Sequence, residues 1–114
     1  MTNKDFYKSI FFQIESSQEA YKNYMKTRNF FNAKVLYSIN QYLLTYINAH
    51  SYLIKEDHKS IFQELIIHFW GWMNQFDFEA KKRKPELDNE FVFERAEGVL
   101  PYPSNFMKML KRNV

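Results

Sequence analysis

Cysteine is absent from the chain, which removes disulfides, thiolate zinc sites and cysteine nucleophiles from consideration. Glycine is nearly absent. Two glycines in 114 residues leave no material for a phosphate-cradling loop or a dinucleotide fingerprint. The opening Met1-Thr2-Asn3-Lys4-Asp5 lacks the charged-then-apolar pattern of an export signal. No apolar run reaches the roughly 20 residues of a membrane span. A cytoplasmic protein without a membrane segment is therefore expected.

Catalytic patterns are also lacking. Arg28 is followed only by the distant His50, and Arg83 and Arg95 by no histidine, so the close arginine–histidine pair used by small helical ribonucleases is missing. No serine sits in a context that suggests a base and an oxyanion hole. The one acid–base or metal candidate is Glu64 with His68, four residues apart and so on one helix face. A metal site needs three or more ligands. Di-iron bundles repeat Glu-x-x-His at a spacing of three on two helices, a pattern this chain does not contain. The expectation is a non-enzymatic protein without metal or cofactor, with His68 a hydrogen-bonded core histidine.

Aromatic side chains, by contrast, are abundant. Twelve phenylalanines, eight tyrosines and two tryptophans make up 19% of the chain. Each buries about 150–250 Å² when packed, which overfills a small core and leaves some tyrosines for the surface or an interface. The densest stretch is Leu65-Ile66-Ile67-His68-Phe69-Trp70-Gly71-Trp72-Met73. At 100° per residue its apolar side chains point almost all the way round, the pattern of a helix covered on every side.

Periodicity predicts an all-α fold in a single domain over residues 1–114: three long antiparallel helices and a short fourth. The first spans about 3–26, opened by Thr2 and Asp5 in a near capping box, with Tyr7, Ile10, Phe11, Ile14, Tyr21, Tyr24 and Met25 inward. The second spans about 29–53, with Phe31, Val35, Leu36, Ile39, Leu43, Tyr46 and Ile47 on one stripe, widened by Tyr42, Leu44 and Tyr52. Its other face carries Asn32, Ser38, Asn40, Gln41, Thr45 and Asn48, and Lys34 is the lone charge between Arg28 and Lys55. So uncharged a face suits either a nearly central helix or one that meets a partner. The third helix spans about 58–83, with Asp57 or Ser60 as its cap, and ends in Lys81-Lys82-Arg83-Lys84 before Pro85, where cations complement the helix dipole and proline stops the helix. Residues 86–103 read as an extended strap packed across the bundle. Ser104 then caps a last helix over about 104–112, with Phe106, Met109 and Leu110 inward.

Two functional readings follow. The leading one is a protein-interaction module (a regulator, inhibitor or assembly subunit) that binds a protein partner or a second copy through Tyr37, Tyr42, Tyr46, Trp70, Trp72 and Tyr102, since aromatic residues dominate interface hot spots. Trp70 and Trp72 lie about 200° apart on a helix, so burying both requires cover on two sides. The alternative is RNA or DNA backbone contact through Lys81, Lys82, Arg83 and Lys84, reinforced by Lys108, Lys111 and Arg112 if the last helix packs nearby. The net charge of +3 permits such contact without demanding it.

Overall fold

The computed structural model describes residues 1–82 and 105–114. Among these residues the secondary structure is entirely helical, in four α-helices and two short 3₁₀ turns. α1 runs Asn3–Thr27, α2 Phe30–Ala49, α3 Lys59–Ala80 and α4 Asn105–Asn113. The all-α bundle anticipated from periodicity is what forms. The strap over residues 86–103 lies outside the described residues.

α1 begins with a complete capping box. The Asp5 N–H donates to Thr2 Oγ1 at 3.1 Å and the Thr2 N–H donates to Asp5 Oδ2 at 3.3 Å, which satisfies two donors that helix geometry leaves orphaned. The helix stops at Arg28, whose backbone is left-handed (φ 52, ψ 23) and whose N–H bonds the Tyr24 carbonyl. Asn29 then caps α2, its Oδ1 accepting the Asn32 N–H at 2.8 Å. With two residues between the helices, α1 and α2 fold back as an antiparallel pair. The contacts run in opposite order along them: Asn3 with Leu53, Phe6 with Tyr46, Ser17 with Asn40.

α2 ends four residues earlier than its apolar pattern suggests. The 3₁₀ turns Ser51–Leu53 and Glu56–His58 follow, and Tyr52, expected on the buried stripe, is exposed. The stripe itself is shifted. Ala33, Leu36, Asn40, Leu43, Leu44 and Ile47 are buried, whereas Phe31, Val35 and Tyr42 are exposed. α3 starts without a side-chain cap from either Asp57 or Ser60 and ends at Ala80, so Lys81 and Lys82 already lie beyond the helix. Arg83, Lys84 and Pro85 fall outside the described residues.

The core joins all four helices. Phe6 and Tyr7 of α1 pack on Phe62 of α3, which in turn meets Phe106 of α4 at 5.1 Å between ring centroids. At the other end of α3, Phe76 stacks with Trp72 and Phe30 and lies tilted against Tyr37. α4 buries Phe106, Met109 and Leu110, as its spacing predicts. Burying each such side chain contributes about 1.5–3 kcal/mol relative to exposure.

α3 is not sheathed all round. Its buried positions, Phe62, Leu65, Phe69, Trp72, Met73 and Phe76, form one helical face. On the other side Ile67 is 61%, Trp70 50% and Phe78 61% exposed. The error lies in taking apolar character as a guide to burial on both sides. Three packed helices cover only the stripe that faces them, and the adjacent face keeps its apolar residues without that cover.

Candidate functional site

The uncharged segments of α2 and α3 come together in the fold. No Lys, Arg, Asp or Glu occurs from Val35 to Ile54 or from Leu65 to Phe76. Where these segments meet, a groove of about 340 Å³ opens between Gln41, Leu44, Thr45 and Asn48 of α2 and Ile66, Trp70 and Met73 of α3. Its floor is aliphatic and thioether, its wall an indole, and its polar groups are amides and a hydroxyl. Such a lining combines large apolar contact area with hydrogen-bonding groups that cost less to desolvate than charges. A second groove of about 320 Å³ lies between α1 and α2, lined by Gln13, Ser16, Ser38, Ile39 and Tyr42. It too contains no charge.

The aromatic candidates separate into surface and core. Trp70 stands half-exposed in the α2–α3 groove. Trp72 is buried at 1% exposure, stacked on Phe76 and tilted against Tyr37, so it belongs to the core and presents no surface. Tyr37 is half-buried. Its ring packs on Phe76 and its hydroxyl donates to Asp77 Oδ2 at 3.1 Å. Burial, then the Asp77 hydrogen bond and charge, raise its pKa above the usual phenol value. Tyr42 is exposed and leads a row of rings along α2: Tyr42, Tyr46, His50 and then Tyr52. Tyr46 is anchored inward by stacking on Phe6. Tyr102 lies outside the described residues.

Among the described residues the basic candidates fall into two separate groups. Lys82 is tied to the buried Glu79 at 2.9 Å. Lys108, Lys111 and Arg112 are exposed on α4, which packs at the opposite end of α3, against Phe62. Roughly 30 Å of helix separates that end from Lys81 and Lys82. Glu64 Oε1 sits 3.8 Å from His68 Nε2 as an i,i+4 pair whose carboxylate is largely in solvent. The described residues hold no group of three or more side chains that could ligate a metal, and no described helix is long and apolar enough to cross a membrane.

Trp70 and the uncharged face with Gln41, Thr45 and Asn48 are visible in the sequence separately, but not as one groove. The signal was present in the unusual lack of charge along α2. What it could not supply was the pairing of Thr45 and Asn48 with Ile66 and Trp70 across two helices. Comparison with protein-family models, with curated proteins and with solved structures finds no match for the chain.

Proposed function

We propose that the chain is a non-enzymatic interaction module that binds a protein, either another chain or a second copy of itself, through the α2–α3 groove. One observation carries this reading: a tryptophan held half-exposed beside a groove free of charge, in a chain where 25% of residues are charged. Trp is among the residues most enriched at interface hot spots, which favour desolvated, well-packed centres. A groove without charges avoids the desolvation cost that ionised groups incur on association.

The test pairs Trp70→Asp and Thr45→Lys with the unaltered chain. Trp70 is half in solvent and Thr45 lines the groove, so both variants should keep the helical fold, checked by circular dichroism. Light scattering over a concentration series, at low and high salt, reads self-association. A photo-crosslinker placed at Asn48 in the full-length chain reads capture of another protein. The proposal expects an association that persists at high salt and is lost in both variants. A chain whose mass changes only with RNA at low salt, and whose crosslinks are unaltered by Thr45→Lys, points instead to backbone electrostatics and overturns it.

A further inference from the structure

A third cleft, of about 360 Å³, opens where the start of α1, the loop before α3 and the end of α4 converge, lined by Asn3, Lys4, Tyr7, Lys55, Arg112, Asn113 and Val114. Its character is the reverse of the two uncharged grooves. Three cations stand round it, and among the described residues none of the three is in an ion pair, whereas Lys59 and Lys82 are each held by a glutamate at 2.9 Å. The Lys55 ammonium instead donates to Asn113 Oδ1 and lies 5.8 Å from the centre of the Tyr7 ring.

The cleft is also pre-shaped. The Asn3 amide donates to the Leu53 carbonyl at 2.6 Å and the Asn113 amide to the Met109 carbonyl at 2.7 Å. The Tyr7 hydroxyl accepts the Lys55 N–H at 3.0 Å and lies 2.7 Å from His58 Nδ1. Its walls are therefore fixed by hydrogen bonds, while among the described residues the Lys4 and Arg112 head groups and the remaining Lys55 protons are left to donate. The positive field is felt by the neighbouring imidazole: after burial, Lys55 and Arg112 help to hold the His58 pKa down, against the opposing charge of Asp57.

We propose that this cleft binds a small phosphate-bearing anion, with Lys4 and Lys55 as point charges and Arg112 as a planar donor fork. Arg and Lys match phosphate oxygens with charge-assisted hydrogen bonds, and the volume falls in the range of small-ligand sites. The site is independent of the uncharged groove.

The test is a titration of the full chain with inorganic pyrophosphate at low ionic strength, followed by amide NMR, with a short mixed single-stranded RNA as a separate arm. The expected result is a saturable response confined to residues 3–7, 55–58 and 109–114. Arg112→Ala and Lys55→Ala should each weaken it about tenfold, as loss of one charge-assisted contact implies, without change in circular dichroism. A response that is absent, that spreads equally to Lys22 and Lys26 on α1, or that appears only with RNA and extends to Lys81 and Lys82 overturns the proposal.

Discussion

Asn40 is fully buried in the α1–α2 interface, where its Oδ1 accepts the Ser17 hydroxyl at 2.5 Å. Its Nδ2 finds no partner among the described residues. A buried polar pair of this kind adds little net stability, but removing one member strands the other. Asn40→Ala should therefore cost about 1–3 kcal/mol, read from urea unfolding. The double change Ser17→Ala with Asn40→Leu should recover most of that loss, because both polar groups leave together. Equal loss in the single and double variants would show that the pair matters for shape alone. His58 makes a different residue-scale prediction. Its folded-state pKa is lowered by burial, with Lys55 and Arg112 adding to the effect and Asp57 opposing it. The unfolded chain therefore takes up the proton first as pH falls through about 6.5, and this contribution to stability, present above that value, diminishes below it. Between pH 7.5 and 5.5, conditions to be set on either side of that value, the native chain should lose more stability than His58→Asn. Parallel pH profiles for the two would remove His58 from the account.

At the scale of the element, the α1–α2 connection is the point of strain. Arg28 holds a left-handed backbone at φ 52, a conformation that glycine reaches without the Cβ clash an arginine meets. Arg28→Gly should raise stability by about 0.5–1 kcal/mol, measured by thermal unfolding. A loss would mean that the contacts of the Arg28 side chain, among them its guanidinium over the Tyr24 ring at 6.0 Å, outweigh the backbone gain. That connection also shows what a sequence discloses and what it withholds. The capping box at Thr2 and the inward face of α4 depend on spacings of three and four residues, and both were legible. The buried face of α2 was legible only in part: Leu36, Leu43, Leu44 and Ile47 lay on the predicted stripe and are buried, whereas Ala33 and Asn40, a small residue and a polar one, did not announce themselves. Asn40 is acceptable in the core only because Ser17, 23 positions away, supplies its partner. Phe31, the larger apolar residue, is left outside. The site follows the same logic. The lack of charge along α2 and the presence of Trp70 were visible, but the groove they form depends on which turn of α3 lies opposite Thr45. The phosphate cleft was invisible, since Lys4, Lys55 and Arg112 are each about 50 residues apart.

Across the whole molecule, function-bearing chemistry and packing are arranged along the length of α3. Its first turns carry the junction with α1 and α4, flanked by cations. Its middle supports the uncharged groove, and its last described turns meet the start of α2 through Phe30 and Phe76. Two cores at the two ends would unfold separately if little linked them. Phe62, Leu65, Phe69, Trp72, Met73 and Phe76 form one continuous buried stripe, so the cooperative unit should include α4. Phe106 tests this directly. Its ring is buried against Phe62, and Phe106→Ala should cost about 3–5 kcal/mol. Both tryptophans lie on α3, remote in sequence from that site, so tryptophan fluorescence and far-ultraviolet circular dichroism report different parts of the unfolding. For a single cooperative unit the two transitions should move together to lower denaturant by the same amount. If dichroism showed an early loss while fluorescence kept the native midpoint, α4 would be a docked appendage. The cleft it helps to form could then open without disturbing the groove further along α3.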